Sequence, residues 1–371
     1  MSKFSVRWRI ALYALPRLLL SIFRRRPHQV RTILVAHHLL LGDSVMLSPL
    51  LHKLRLKYPA ARITLLCRPP FVDLLCLNPW QIDVLPYQPD SVAQLQKVIA
   101  AGPYDLAYIP GENRYSWLAL AAGSRWIIAH KTLCKRYYSL PVDEAIEYPQ
   151  QMMVWSDAIA KLCDGNLPQA TPWLVKECEH FSDNPYVVLH IGASNPTRFW
   201  PAERWFALAE WFAENNYTPI WSGAESERKW IDVVDPERRY LNMAGKLSLS
   251  QLLALLKGAT VLICADSGIA HIAKLVATPT ITLYGPGNPQ AFGPGEYWAK
   301  NVIINAGFYP ITCRDQHVLF SRTLPWLTRC ARSPKSCLHF NTGYSDCMRQ
   351  ITIENIIMIF KETIGNNNDV K

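Results

Sequence analysis

One segment narrows the fold of this chain more than any other: Leu262 to Gly287, LICADSGIAHIAKLVATPTITLYGPG. An apolar run, Thr260 to Cys264, gives way to Asp266-Ser267-Gly268, a helical pattern follows, and a second β-prone run spans Pro279 to Tyr284. Strand, tight turn, helix, strand is one parallel βαβ unit, and such a unit requires a parallel sheet covered by helices. The turn lies at the strand's carboxyl end and opens the helix. Open α/β sheets bind ligands there, and the unpaired N–H groups of a helix start attract phosphate. Ser267 brings a hydroxyl, and Gly268 lets an anion approach the backbone. Alone, the turn reads as an ordinary βα connection; it gains weight from what precedes it.

The same alternation runs through the whole chain. Thr32 to His37 is an apolar strand, followed by Gly42 and Asp43 and a helix with Leu47, Leu50, Leu51 and Leu54 at helical spacing. Arg62 to Cys67, Ile82 to Leu85, Leu106 to Ile109 and Trp126 to Ala129 are further short strands. A polar, Pro-bearing stretch near residues 164–184 breaks the pattern as a linker would. A second series then starts with strand Tyr186 to Ile191. It continues with helix Ala202 to Asn215, strand Thr218 to Ser222, helix Glu225 to Val234 and helix Ser248 to Lys257. The region Phe308 to Ser345 is irregular and basic, and a last helix spans Ile351 to Ile364. At 371 residues two domains are natural. We expect an arm at 1–28, a first α/β domain at 29–165 and a second at 185–345. Two facing domains of this kind make a cleft, the usual place for a ligand.

Charge is concentrated at the amino terminus. Lys3, Arg7, Arg9, Arg17, Arg24, Arg25, Arg26 and Arg31 supply most of the net +10, and residues 1–42 hold no Asp or Glu. On a helical wheel Phe4, Trp8, Leu12, Leu15, Leu19, Ile22 and Phe23 share one side, with Lys3, Arg7, Arg17 and Arg24 on the other. Arg9 and Arg17 make the apolar run too short to span a bilayer, and no small-residue cleavage site marks a signal peptide. An interfacial helix on an anionic membrane surface fits this pattern, although Pro16 would kink it. The alternative is an arm packed on the protein's own body. The rest of the chain has no basic patch with interleaved aromatics, so no nucleic-acid partner is expected. The ten cysteines fit a reduced, cytosolic setting. The spacing of Cys313, Cys330, Cys337 and Cys347 matches no usual zinc pattern, and no metal or cofactor is expected.

Three constellations carry chemistry besides the opening turn. His37-His38-Leu39-Leu40-Leu41-Gly42-Asp43-Ser44 puts a carboxylate near a strand end, where Asp43 can take a proton from a hydroxyl; the competing reading is a helix N-cap. Ser194 to Pro201 offers Arg198, whose guanidinium fork suits phosphate. Ser222-Gly223-Ala224-Glu225-Ser226-Glu227 offers carboxylates that can accept from ribose hydroxyls, or that merely complement a helix dipole. A GxGxxG turn, a GxxxxGK[ST] loop, an Asp-x-Asp pair and a GxSxG elbow are all lacking.

In this order the motifs resemble the heptosyltransferases of bacterial lipopolysaccharide synthesis, glycosyltransferase family 9. The resemblance rests on Gly42-Asp43 with Pro49, Arg198-Phe199-Trp200-Pro201, Gly223 to Glu227, and Asp266 to His271 leading to Tyr284-Gly285-Pro286. It implies a GT-B fold, two Rossmann-like domains with acceptor on the first and nucleotide-sugar on the second, and a final helix (350–366) returning to the first domain. It implies Asp43 as base, with His37, Gly42 and Ser44 supporting the acceptor or leaving group. It puts Arg198 on phosphate, Glu227 or else Glu225 on ribose, Leu247 at the adenine, and Asp266, Ser267, Gly268, Ile269 and His271 around the diphosphate. Where many members carry a lysine, this chain has His37, and its best-known members have lysine where Arg198 stands.

The expected function is inverting transfer of heptose from ADP-heptose to a lipid-anchored lipopolysaccharide core oligosaccharide. The expected place is the inner face of the inner membrane, held peripherally on the cytoplasmic side. Three alternatives stay open: transfer of another nucleotide-activated sugar, epimerisation of a nucleotide sugar, and a non-catalytic membrane-surface scaffold that keeps a nucleotide site.

Overall fold

The computed structural model describes residues 3–132, 135–175, 180–301, 303–307 and 311–364. Residues 1 and 2 of the expected arm, 176–179 of the expected linker, Phe308 at the start of the irregular region, and 365 and 366 of the expected closing helix lie outside these. The chain divides into two compact units, one of residues 1–170 with 318–325, the other of 171–317 with 326–371.

The first unit is built on strands β1 (Thr32–Val35), β2 (Arg62–Cys67), β3 (Asp83–Pro86), β4 (Leu106–Ile109), β5 (Trp126–His130) and β6 (Glu144–Ile146). They form one sheet in the order β3-β2-β1-β4-β5-β6, and every pairing is parallel. The inner strands are short β-branched and leucine runs, buried almost throughout, as a sheet covered on both faces demands. The unit's described helices of five or more residues are α1 (Lys3–Leu19), α2 (Leu41–Val45), α3 (Ser48–Lys57), α4 (Val92–Ala100), α5 (Ser116–Ala121) and α6 (Trp155–Ala160). α3 buries Leu50, Leu51 and Leu54, the leucines read from the sequence.

Helix α1 has two apolar flanks, and the structure uses them differently. Val6 and Ala14 are fully buried in the core formed with α4, α5 and the sheet, with Ile10 and Leu18 packed against it. Phe4, Trp8, Leu12, Leu15 and Leu19 lie exposed, Phe4 at 77% and Leu19 at 79%. The arm is therefore part of the first unit and also keeps the apolar side expected to face a membrane. The basic side departs from expectation, because Arg17 donates to the Ala121 carbonyl and Arg24 pairs with Asp143 at 3.0 Å. Those two guanidiniums bind the protein. Pro16 lies inside α1, which runs on to Leu19.

The second unit repeats the plan. Strands β7 (Tyr186–His190), β8 (Thr218–Ser222), β9 (Leu241–Asn242), β10 (Val261–Ala265), β11 (Thr280–Leu283) and β12 (Ile303–Ala306) form a parallel sheet in the order β12-β11-β10-β7-β8-β9. In both sheets the first strand of the series lies beside the fourth, so chain order reverses at the centre. This is the Rossmann arrangement. Its described helices of five or more residues are α7 (Ala202–Glu214), α8 (Arg228–Val234), α9 (Leu249–Gly258), α10 (Gly268–Lys274) and α11 (Ile353–Thr363). Ser248 caps α9 through a capping box with Gln251.

The closing helix belongs to the second unit, which corrects the expectation that it returns to the first. Two anchors fix the chain just before it: Trp200 Nε1 donates to the Ile351 carbonyl at 2.9 Å, and Arg204 Nη1 to the Arg349 carbonyl at 2.6 Å. Only one residue separates Ile351 from α11, so the helix starts against α7. Phe360 then inserts among Trp211, Phe212 and Tyr217, with ring centroids 5.9, 5.0 and 5.4 Å away, all edge-on. Residues 318–325 of the irregular region are a small hairpin of the first unit. Its Arg322 is buried and donates to the carbonyls of Gly111 and His130 at 3.3 Å each.

Because Phe360 is 2% exposed within this aromatic cluster, Phe360→Ala should destabilise the second unit by about 3–5 kcal/mol. Urea unfolding followed by near-UV dichroism measures this; a shift well under 1 kcal/mol would mean the helix is not seated there.

Candidate functional site

In an open parallel sheet the two loops leaving adjacent central strands diverge, and the gap between them receives ligand. In the second unit those loops follow β7 and β10. The β7 loop carries Arg198 on a short turn, Pro196–Arg198, capped by Asn195 Oδ1 accepting from Thr197 N at 3.1 Å. The loop is fastened from the chain's later part: Ser345 Oγ donates to the Thr197 carbonyl at 2.6 Å, and Asn195 Nδ2 donates to the Arg332 carbonyl at 2.9 Å. Held this way, Arg198 reaches across to the β10 loop. Its Nη1 donates to the Asp266 carbonyl at 2.6 Å and stands 3.6 Å from Asp266 Oδ2.

Asp266 is nearly buried, at 5% exposure, so the arginine is its charge partner. A Cβ on Gly287 would lie 2.1 Å from Asp266 Oδ2, so only glycine lets the chain after β11 pass this carboxylate. Ser267 is the N-cap residue of α10, yet its hydroxyl is buried without a hydrogen-bond partner. His271, one turn along, is also buried, and its Nδ1 has no partner. Burial, with Lys274 and Arg198 nearby, pushes its pKa well below the usual histidine value, so the ring is neutral. Ile269 is buried beneath the same turn. Two orphaned polar atoms beside a guanidinium with N–H groups not spent on the described residues give this turn the donors that a phosphate would use.

The β8 loop adds the carboxylates. Glu227 Oε2 accepts from Ala224 N at 2.7 Å and lies 4.0 Å from His190 Nε2. A Cβ on Gly192 would fall 2.0 Å from the same oxygen, so the carboxylate rests directly on the backbone after β7. Oε1 has no hydrogen bond among the described residues and can accept from a ligand hydroxyl. Glu225 is more exposed and pairs loosely with Arg228 at 3.7 Å. Of the two, Glu227 is the better-positioned acceptor. Leu247 is half-buried just ahead of α9. His190 was not foreseen as a site residue; its Nδ1 meets Ser222 Oγ at 3.1 Å, and burial lowers its pKa against the pull of Glu227. A polar residue ending an otherwise apolar strand was the available signal.

In the first unit the loop after β1 leads into α2. Asp43 is the third residue of that helix, whose N-cap is Leu40, so the N-cap reading does not hold. Asp43 is half-buried, and Gly42 and Ser44 beside it are buried, with Ser44 Oγ donating to the Leu40 carbonyl at 2.9 Å. His37 is 1% exposed, and its Nδ1 accepts from Leu39 N at 3.2 Å. The ring proton is therefore on Nε2, a buried atom with no partner. Burial, then His38 and Arg68, push its pKa down to about 3, so His37 brings no positive charge to the place where many relatives carry lysine.

Among the described residues no group of three or more His, Cys, Asp or Glu side chains could hold a metal ion, and Cys313, Cys330, Cys337 and Cys347 are free thiols. No described helix is long and apolar enough to cross a membrane.

Comparison with known proteins gives the family and the fold. The profile of glycosyltransferase family 9 (heptosyltransferase) matches residues 92–320, more than half of the chain. That stretch holds Arg198, Glu225, Glu227, Leu247 and Asp266 to His271, and begins after Asp43. Lipopolysaccharide heptosyltransferase 2 of Escherichia coli K12 is 24% identical over 74% of this chain and 88% of its own length. Lipopolysaccharide heptosyltransferase 1 of Pseudomonas aeruginosa is 28% identical over 57% of this chain, which spans only 60% of that relative. Among solved structures, E. coli ADP-heptose lps heptosyltransferase II superposes with a TM-score of 0.69 at 17% identity, covering 91% of this chain and 99% of that one. E. coli heptosyltransferase WaaC with ADP gives 0.62 at 18% identity over 74% and 93%. The fold is thus GT-B, as the motifs implied.

A consequence of His37 burial is directly measurable. As pH falls below the ordinary 6.5, the unfolded chain takes up a proton that folded His37 refuses until about pH 3, so stability declines through that window. His130, lowered to about 4 by burial and Arg322, acts in the same direction. His37→Asn should flatten the acid slope of urea stability below pH 6.5; an unchanged slope would show that His37 titrates normally.

Proposed function

From the premise that this chain belongs to glycosyltransferase family 9, the heptosyltransferases, we propose that it is an inverting enzyme transferring heptose from ADP-heptose to a lipopolysaccharide core acceptor. The observation that carries the donor side is the Arg198–Asp266 pair beside the orphaned Ser267 hydroxyl. WaaC was solved with ADP and with ADP-2-deoxy-2-fluoro heptose, and this chain shares its fold.

In this reading Asp43 accepts the proton of the acceptor hydroxyl. The oxygen attacks the anomeric carbon from the face opposite the nucleotide, the bond from that carbon to the diphosphate breaks, and negative charge grows on departing ADP. The open N–H groups of Arg198, the Ser267 hydroxyl and the amides of Gly268 and Ile269 meet that charge. Fixed donors aimed at developing charge are the largest single contribution in many enzymes. Glu227 Oε1 accepts from the ribose hydroxyls, with Glu225 as the second choice, and Leu247 lies against the adenine. His271, neutral and short of one partner, donates or accepts a hydrogen bond near the phosphates without adding charge. His37, equally neutral, shapes the β1 loop leading to Asp43, and Gly42 and Ser44 pack its base.

The acceptor is lipid-anchored in this reading, and the enzyme works peripherally at the inner face of the inner membrane. The support is the exposed stripe Phe4, Trp8, Leu12, Leu15 and Leu19, with Arg7 and Arg9 also exposed on α1. Contiguous exposed apolar surface rimmed by charge marks an interaction face.

Asp43→Asn should lower transfer from ADP-heptose to truncated core acceptors by about 10²–10⁴-fold while ADP affinity stays within twofold of wild type. Parallel loss of ADP binding would make Asp43 structural. Arg198→Ala should weaken ADP binding about 10- to 100-fold, the worth of a charged hydrogen bond, with Arg198→Lys in between; unaltered affinity in calorimetry removes it from the phosphate site. Mass readout of the same incubations separates the alternatives: an epimerase converts donor without acceptor, and a scaffold binds ADP without turnover. Deleting the arm would open the core at Val6 and Ala14, so the membrane role is better tested with Trp8→Ser and Leu12→Ser. These exposed substitutions should release the protein from anionic vesicles, and retained binding counts against the arm as an anchor.

A further inference from the structure

The basic residues that follow α1 do not spread over the surface; they gather around one cavity. It has a volume of about 470 Å³, and among its ten lining residues are Arg17, Arg24, Arg25, Arg26 and Arg125, with no carboxylate. That volume is within the range of small-molecule sites. The arginines are only partly neutralised from behind. Arg24 pairs with Asp143 at 3.0 Å, Arg26 with Glu144 at 2.9 Å, and exposed Arg125 stands 3.6 Å from Asp105. Arg17 is bound to a neutral carbonyl, and Arg25 meets no acid among the described residues.

The cavity wall also holds polar atoms without partners. Arg24 Nε and Nη1 are buried and make no hydrogen bond, and neither does the hydroxyl of Ser124, a residue 3% exposed. Burial depresses the Arg24 guanidinium although Asp143 pulls it the other way. Buried donors of this kind call for an acceptor. Guanidinium groups in number, a hydroxyl and no carboxylate in the lining select a phosphate over a carboxamide or a sugar. The neighbourhood narrows the choice further. Leu20 lines the cavity, and Leu19, Leu20 and Phe23 are exposed at 79%, 63% and 75%. An apolar rim beside an anion pocket fits a phosphate attached to acyl chains better than a free one.

We propose that this cavity seats the phosphate of an anionic glycerophospholipid, held by Arg24, Arg25, Arg125 and Ser124 while Leu19, Leu20 and Phe23 meet the acyl region. The proposal rests on the reading of α1 as a membrane-surface helix and adds a defined headgroup site to it. The site is distinct from the nucleotide and base residues, so it fixes the enzyme on its membrane without touching the reaction.

The test uses the full chain with phosphatidylcholine vesicles, with and without phosphatidylglycerol, and with soluble glycerol 3-phosphate as a headgroup probe. Wild type should prefer phosphatidylglycerol vesicles and bind glycerol 3-phosphate. Arg25→Gln with Arg125→Gln, both exposed and safe for folding, should weaken phosphatidylglycerol binding by about tenfold or more and abolish headgroup binding, since each basic residue near an anionic surface is worth about fivefold. Arg7→Gln with Arg9→Gln removes the same charge outside the cavity and should leave glycerol 3-phosphate binding intact. Equal losses for both pairs, with no headgroup binding by wild type, overturn the site in favour of a diffuse basic arm. Headgroup binding without vesicle binding overturns the lipid assignment and sinks the membrane role of α1. Vesicle binding that Trp8→Ser abolishes while headgroup binding persists supports both readings separately.

Discussion

A carboxylate that is nearly out of water must be paired, and in the second unit the pairing of Asp266 by Arg198 is what the rest of the site is arranged around. An unpaired charge at that depth costs several kcal/mol. The pair joins the two loops that leave the adjacent strands β7 and β10, where chain order reverses and the backbone must part. Its geometry then dictates the surroundings. Gly287 has to be glycine because the carboxylate occupies the space of its Cβ. The β7 loop has to be stiff enough to aim a guanidinium, and it borrows that stiffness from Ser345 and from the Arg332 carbonyl. The irregular carboxyl-terminal stretch thus serves as an underlay for the loop that carries the arginine. What the pair leaves over, spare N–H groups on Arg198 and a lone Ser267 hydroxyl, is available to an anion.

The central strands and their loops were legible because burial on two faces forces continuous apolar runs, and because a turn at a strand end needs Asp, Ser and Gly. β4 and β8 begin and end where the sequence put them. The edge strands β6, β9 and β12 were not legible. β6 and β9 are two or three residues long with no fully buried position, so neither length nor periodicity marks them. The destination of α11 was hidden for another reason. Its apolar face says that it packs, and only the hydrogen bonds of Trp200 and Arg204 to residues 349–351 say where. His190 went unnoticed because a histidine ending a strand has no pattern of its own. Its role near Glu227 exists only once β7 and β8 are paired.

Asp43 shows the limit of local reading from the other side. Spacing alone left it between a proton acceptor and an N-cap, since Asp beside Gly before an apolar helix is a common start. The chain instead starts α2 at Leu41, after Leu40, and lodges Asp43 within the first turn. At the third position it is only half-buried and is held on a turn whose neighbours, Gly42 and Ser44, are packed solid.

Helix α1 carries the last step. A wheel drawn on its sequence shows one apolar side, and the eye assigns the remainder to water. The structure shows two apolar flanks: a narrow one of small or half-buried residues that closes the core, and a broad one of Phe, Trp and Leu left outside. Fully burying such side chains is worth about 1.5–3 kcal/mol each, and five of them on one face forgo that gain in water. Pro16 belongs to the same argument. A proline inside a helix costs roughly 3 kcal/mol, and α1 runs past it to Leu19 with Ala14 and Leu18, on either side, packed in the core. A helix braced so firmly to the body on one flank cannot swing its other flank away from solvent by itself. The face left exposed, together with the arginine-lined cavity beyond Leu19, is what the proposed membrane attachment rests on.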